Sequence, residues 1–392
     1  MSVFVFKKMP VILALVIATI VLLGSFIPLV IKQAMYATSL SIKSLIIALL
    51  PLIIFGLLFR AAVLMARKAT WIAGVILIGV CASTFVAVFL ARFVGLGIYH
   101  MDSAMELPPT LQSLIPLWSY ELKALVPNDI VMLASLFFGV MGALSVPEVA
   151  LRFSEKLDFL VAKILGMLTW VIPPFVAGFI VKLQYEGVVG TVIKNYALIF
   201  LAITLAQFAY LFGVYWVLAK GSLTKTFGLI NNMLPAAISG FSTMSSAASL
   251  PLIIQGVEKN TTHKQLGRVI VPAIVNIHMV GECFTDIVLA YAVLKTYGKP
   301  DPAFMTYVYF SFYFFLARFS VAAIPGGGIV VIYSILRQYF GFDNDMISLI
   351  TTVYILFDPV LTMGNIFGDG AMAQALDSLV TKFPSLAYSK KS

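Results

Sequence analysis

The chain of 392 residues is 61% hydrophobic and only 11% charged, with a mean hydropathy of +1.02. Its apolar runs repeatedly exceed the roughly 20 residues that cross a bilayer, which excludes a soluble globular protein and indicates a polytopic membrane protein. The formal net charge of +9 comes from dispersed basic residues, so it indicates loops beside a membrane rather than a nucleic-acid-binding surface.

The first predicted element is an apolar run over 9–32 that follows Lys7 and Lys8. This run is too long for a signal peptide and lacks an evident small-residue cleavage site, so we interpret it as a retained transmembrane helix. Cys81 and Cys283 both fall inside apolar runs and are expected to pack as free thiols rather than form a disulfide.

Eight apolar segments are long enough to be full transmembrane spans. They cover residues 9–32, 42–66, 70–99, 128–146, 160–182, 192–219, 267–294 and 347–380. Two shorter segments, about 226–261 and about 305–338, are interrupted in their middle. The sequence therefore predicts an all-α integral membrane protein with eight transmembrane helices and two irregular pieces.

Both irregular pieces contain helix-breaking residues. The first has Pro235 and the serine-rich run from Ser245 to Pro251, and the second has the turn from Pro325 to Gly328. Hydroxyls and proline do not stabilise a helix that faces lipid, so such a segment is tolerated only where it is buried in protein or lines a polar cavity. We expect two re-entrant helical hairpins. The order hairpin, helix, hairpin, helix is typical of inverted repeats with a binding site between them.

The basic residues indicate the orientation of the chain. If both hairpins return to the side they enter from and the N-terminus is cytoplasmic, most of the 26 Lys and Arg residues fall on the cytoplasmic side. We therefore predict a multi-pass protein of the cell (inner or plasma) membrane with both termini in the cytoplasm.

Four polar residues share one face of the last apolar segment. Asp358, Thr362, Asn365 and Asp369 are four, three and four residues apart, which is helical spacing. Carboxylates buried in a membrane are costly and mark ion, proton or substrate paths. The alternative is a hydrogen-bonding seam to a neighbouring helix. We expect this face to bind a ligand.

His278 and Glu282, which are four residues apart, form a second group of polar residues before the second hairpin. The pair could relay a proton, or the chain near Gly281 could unwind and offer backbone oxygens to a cation; a purely structural His–Glu bond is the alternative. No thiolate and no third histidine stands at metal-ligand spacing. A hydrolase built on His278 would also need a serine and an oxyanion site within reach, so we do not expect an enzyme.

The order of these motifs resembles the dicarboxylate/amino acid:cation symporter family, the glutamate-transporter homologues. The resemblance covers nearly the whole chain and is strongest from Leu234 onward. The run from Ser245 is similar to the tip of the family's hairpin one, the turn from Pro325 to the tip of hairpin two, and the segment from Asp358 to Asp369 to its final helix.

The resemblance implies that Asp358 binds the amino group of the substrate, that Asn365 binds its carboxylate, and that Asp369 binds sodium. The implied substrate site draws on both hairpins, the seventh helix and the last helix: Ser245, Ser246, Ser249, Glu282, Pro325, Gly326, Gly328, Asp358, Leu361, Thr362 and Asn365. The implied sodium site, partly built from backbone carbonyls, comprises Asp369, Asn365, His278 and Ile274.

Departures from the family pattern change the substrate and the coupled ions that we expect. The family's Asn-Met-Asp-Gly-Thr is replaced by the segment from His278 to Glu282, so fewer sodium ions are coupled or protons replace one of them through these two residues. The arginine that pairs with acidic substrates is replaced by Leu361. We therefore expect a neutral or basic amino acid, unless Arg318 supplies a counter-charge; Arg318 could equally neutralise Glu282.

The resemblance also implies that the helices form two functional parts, a scaffold and a transport core. Residues 1–69 and 101–190 would form a homotrimeric scaffold, and residues 70–100 and 191–392 a mobile transport core. The expected function is amino acid symport by alternating access, coupled to sodium and/or protons, with no cofactor. The expected partners are the amino acid, membrane lipid and two further copies of the chain, with no nucleic acid. The rival hypotheses are an acidic amino acid or dicarboxylate symporter that uses Arg318, and an ion channel on the same fold.

Overall fold

The computed structural model describes residues 9–67, 71–101, 113–120, 122, 126, 128–187, 189–319 and 327–382. These residues form α-helices and one short 3-10 turn at Gly24–Phe26, and no strand occurs among them. The helices in chain order are α1 Met9–Leu23, α2 Leu29–Arg67, α3 Trp71–Tyr99, α4 Asn128–Ser145, α5 Pro147–Tyr185, α6 Val189–Leu218, α7 Leu223–Thr243, α8 Leu250–Asn260, α9 Lys264–Ile274, α10 Val280–Thr296, α11 Phe304–Arg318, α12 Gly327–Phe340 and α13 Asn344–Lys382. The predicted all-α class is confirmed.

Several helices are apolar enough to span a bilayer by length and composition. Four long stretches meet this criterion in the described part of the chain: Leu29–Arg60, Gly74–Tyr99, Lys194–Leu218 and Asn344–Lys382. Shorter apolar helices cover Val11–Phe26, Ile130–Ser145, Trp170–Tyr185 and Gly328–Phe340. The arrangement of eight spans plus two re-entrant hairpins stays a prediction.

Some predicted boundaries are wrong. The first span does not continue to residue 32, because α1 ends at Leu23 and the chain turns before Pro28, which disfavours helix in the residue preceding it. The second helix begins at Leu29 rather than near residue 42. The polar residues between the two predicted spans lower the hydropathy but are good enough helix formers to continue α2.

The first helical hairpin consists of α7 and α8, which pack on each other. Pro235 lies inside α7 and does not form the tip, contrary to the prediction. The turn begins at Met244, whose φ of 50° ends α7 in the left-handed region. Pro251 lies in the first turn of α8, where the missing N–H removes no helical hydrogen bond.

The helices pack in two groups. Helices α1, α2, α4 and α5 pack mainly on each other, and α3, α6 to α10 and α13 pack mainly on each other. Helices α11 and α12 form a pair that contacts α3, α10 and α13 and also touches α2 and α4. Helices α10 and α13 are buried along most of their length, so the polar residues they carry lie in the centre of the second group.

Candidate functional site

The tip between α7 and α8 is a buried polar turn. Ser245, Ser246 and Ser249 are all buried. Ser249 Oγ donates a hydrogen bond to Ser239 Oγ at 2.9 Å, which ties the turn back to α7. Ser245 Oγ accepts from the N–H of Ala248 at 3.2 Å. The hydroxyls thus hold the turn together in the protein interior, where lipid cannot reach them.

Helix α13 carries the four predicted polar residues on one continuous helix. Asp358, Thr362, Asn365 and Asp369 are all buried, and Leu361 is buried beside them. Thr362 Oγ1 donates to Asp358 Oδ1 at 3.1 Å. The Thr362 methyl group also lies against α7 near Gly240, which links the last helix to the first hairpin.

Helices α10 and α13 approach each other at backbone distance. A Cβ atom on Gly281 would overlap the carbonyl oxygen of Leu361, so only glycine fits there. Next to this contact, Asn365 Oδ1 accepts a hydrogen bond from the N–H of Glu282 at 3.3 Å. This N–H lies in the first turn of α10 and has no partner within its own helix, so Asn365 caps α10 from another helix.

Replacing Gly281 with alanine is expected to destabilise the protein by about 1–3 kcal/mol, the usual cost of forcing extra volume into a packed interior. The matched control is Gly213→Ala on α6, where nothing lies within 4 Å of the added Cβ. That change should be neutral or slightly stabilising. Thermal unfolding of the purified variants measures both effects, and equal stability of the two variants would contradict this contact.

Arg318, at the end of α11, is fully buried between two carboxylates. It forms ion pairs with Glu282 and with Asp286, the latter at 2.8 Å from Asp286 Oδ2. The centre of its guanidinium group lies 4.0 Å from the centroid of the Phe314 ring. Sequence reasoning named the pairing of Arg318 with Glu282 but missed Asp286. Because Asp286 is an acid in an apolar segment, four residues after Glu282, the rule applied to the other buried carboxylates would have found it.

The second hairpin reaches this ionic cluster through the first turn of α12. A Cβ on Gly328 would overlap the Glu282 carboxylate and the Tyr354 hydroxyl, so the backbone at Gly328 lies directly against both groups. Pro325 and Gly326, the other predicted residues of this tip, lie outside the described residues.

Asp369 is the most isolated acid of the core. The residue is 0% exposed, and neither carboxylate oxygen has a hydrogen-bond partner among the described residues. His278 Nδ1 is its nearest basic atom, at 3.5 Å from Asp369 Oδ1. The other ring nitrogen, Nε2, forms a hydrogen bond with Ser83 Oγ on α3 at 2.9 Å. No sequence pattern singled out Ser83, because its contact with His278 depends on the packing of α3.

The chain is unwound between α9 and α10, directly beside this acid. Residues 275–279 leave the helix, so the predicted span 267–294 is interrupted in its middle. The carbonyl of Ile274 accepts the N–H groups of Ile277 and His278, both at 2.8 Å. Within the described chain, no backbone N–H donates to the carbonyls of residues 275–278. These oxygens are hard ligands of the kind that alkali and alkaline-earth cations prefer.

Comparison with known proteins gives a family match and several relatives. The profile described as the sodium:dicarboxylate symporter family matches residues 9–379. Excitatory amino acid transporter 1 of Homo sapiens is 25% identical over 293 residues, which are 73% of this chain and 53% of that protein. Neutral amino acid transporter B(0) of Rattus norvegicus is 31% identical over 150 residues, 38% of this chain and 27% of that protein. The chain spans about half the length of the excitatory amino acid transporters it matches.

Proposed function

Because the chain belongs to the sodium:dicarboxylate symporter family, we propose that it is a cation-coupled amino acid symporter that works by alternating access. The resemblance inferred from the motifs is confirmed, and so is the expectation of a transporter rather than an enzyme, because the family and the matched relatives are transporters. The observation that carries the proposal is Asp369, a buried carboxylate beside an unwound stretch of backbone.

The coupled cation is sodium, bound as a co-transported substrate at Asp369. A buried carboxylate without hydrogen bonds is costly, and a cation removes that cost. Asn365 and His278 would complete the site together with carbonyls of the unwound segment. The Ile274 carbonyl already accepts two N–H groups, so it would have to share its lone pairs with the ion. Protons carried by His278 and Glu282 are the alternative or additional coupled ion.

The substrate's amino acid backbone binds between α13 and the first hairpin, with its ammonium group on Asp358. Asn365 would donate its amide Nδ2 to the substrate's carboxylate, while its Oδ1 accepts from the N–H of Glu282. The hydroxyls of Ser245 and Ser246 would donate to the same carboxylate, and Ser249 would join them by giving up its bond to Ser239 Oγ. The backbone at Gly328 and Thr362 would close the site.

The charges around Leu361 support a neutral or basic side chain on the substrate. Arg318 is engaged by Glu282 and Asp286, so an acidic substrate would have to displace one of these carboxylates to reach it. With all three groups ionised, the cluster carries one net negative charge. Such a pocket repels a carboxylate and tolerates a neutral or cationic group. The acidic-substrate alternative therefore requires Arg318 to leave its ion pairs.

The two packing groups of helices support a scaffold of α1, α2, α4 and α5 and a mobile core of the remaining helices. We propose that α11 and α12 form the gate, that the scaffold assembles a homotrimer, and that both termini face the cytoplasm of a cell that carries the protein in its inner or plasma membrane. An ion channel on this fold would give flux without accumulation. Concentrative, saturable uptake into proteoliposomes distinguishes the two.

Thermal unfolding of the purified full chain tests this proposal. Each of the twenty amino acids and several dicarboxylates is added in sodium and in choline, at two pH values. A neutral or basic amino acid is expected to raise the melting temperature by a few degrees in sodium only, since ligand at 100 times its Kd adds about 2.7 kcal/mol. Asp358→Asn is the binding-deficient control. Stabilisation by glutamate in wild type would overturn the substrate assignment, and stabilisation that follows pH but not sodium would overturn sodium coupling.

A further inference from the structure

A cavity of about 270 Å³ lies between α3, α6 and α13, beside the unwound segment. This volume is large enough for several water molecules. Most of its wall is apolar, and its polar lining residues are Ser83, Tyr210 and His278. Voids lined only by apolar groups stay dry, whereas a roomy cavity with several polar partners holds water. The cavity is therefore suited to water.

The cavity ends one side chain away from Asp369. Gly368, the neighbour of Asp369, lines the cavity, and so does the ring of His278. The same ring approaches Asp369 on its other side, with Nδ1 at 3.5 Å from Oδ1. Its Nε2 is held by Ser83, which also lines the cavity, at 2.9 Å. The His278 ring thus stands between the cavity and the buried carboxylate.

We infer that this cavity is a route by which the coupled cation reaches and leaves Asp369, and that the hydrogen bond between His278 and Ser83 holds the route closed. The inference rests on the proposed function, because it requires a cation at Asp369. A carboxylate with no exposed surface needs a path for its ion. Breaking the bond to Ser83 would free the ring to rotate and would connect the acid with the water.

Thiol labelling tests whether the cavity admits a hydrated cation. In a chain with Cys81→Ala and Cys283→Ala, the variant Ala371→Cys places a thiol on the cavity wall. We expect this thiol to react with a water-soluble, cationic methanethiosulfonate reagent, and we expect sodium to slow the reaction. The matched control is Phe93→Cys on α3, whose wild-type side chain is 67% exposed on the outside of the helix bundle. It should react only with an uncharged, lipid-soluble maleimide. If Ala371→Cys behaves like this control, the cavity holds lipid and the inference is overturned.

Sodium-binding kinetics test the closing bond. Ser83→Ala removes the partner of His278, and we expect sodium association and dissociation to become about fivefold faster, the factor that corresponds to one ordinary hydrogen bond. Ser135→Ala, which removes a bond within α4, is the control and should leave both rates unchanged. Unchanged sodium association and dissociation rates in Ser83→Ala would contradict the proposal that the hydrogen bond between His278 and Ser83 closes the route. If sodium fails to stabilise the wild-type protein at all, the proposed function fails; if sodium binds but neither test succeeds, only the route fails.

Discussion

Replacing Arg318 with glutamine is expected to lower the free energy of unfolding by about 3–5 kcal/mol, the usual effect of removing one partner from a buried ion pair. Arg318 is the only basic group that contacts Glu282 and Asp286 among the described residues. Without it, two carboxylates remain close together in the protein interior with no counter-charge. Most of the loss of stability comes from the two buried carboxylates that no longer have a counter-charge, and less comes from the lost attraction to Arg318. Thermal unfolding in detergent measures the loss of stability.

The triple variant Arg318→Gln, Glu282→Gln and Asp286→Asn distinguishes this explanation from simple loss of packing. It removes all charge from the cluster and keeps most of the volume, so we expect it to regain much of the lost stability. The matched control is Arg268→Gln, which breaks the surface pair with Glu258. An exposed pair contributes at most about 1 kcal/mol, so this change should have little effect. A triple variant no more stable than the single one would contradict the electrostatic explanation.

Replacing Asp369 with asparagine is expected to raise the free energy of unfolding in choline and to reduce the stabilisation that sodium adds. In choline, the variant should be more stable than wild type, because a buried carboxylate that accepts no hydrogen bond among the described residues has become a neutral amide. Sodium should then add little further stability, because its charged ligand is gone, and its affinity should fall by at least about tenfold, or about 1.4 kcal/mol. Melting temperatures across a sodium titration measure both effects.

Asp377→Asn is the matched control for this substitution. Asp377 is also buried on α13, but its carboxylate accepts hydrogen bonds from the N–H groups of Thr262 and His263 and contacts the His263 ring. Its replacement should lower stability in sodium and choline alike, because it weakens bonds that are already made. If Asp369→Asn behaves like this control, or keeps the full stabilisation by sodium, the coupled ion binds elsewhere.

The polar stripe on α13 and the break between α7 and α8 were predictable from the sequence, because helical spacing and helix-breaking residues are local signals. The break before α10 was not predictable in its position. It is stabilised by Asn365, more than 80 residues away along the chain. The contact of Ser83 with His278 is equally non-local. Asp286 carries an equally local signal, an acid in an apolar segment one helical turn after Glu282, but was not predicted.

The unbroken helix α13 fixes how the two ligands of the proposed symporter can influence each other. Asp358 and Asp369 are eleven residues apart on it, which is about 16 Å along the helix axis. An ammonium group and a sodium ion at that separation repel each other by about 1 kcal/mol at an effective dielectric constant of 20. The substrate's carboxylate, proposed at Asn365 about 6 Å along the axis from Asp369, attracts the sodium ion over a shorter distance, so direct electrostatics favours joint occupancy. By thermodynamic reciprocity, sodium tightens the amino acid by the same factor as the amino acid tightens sodium.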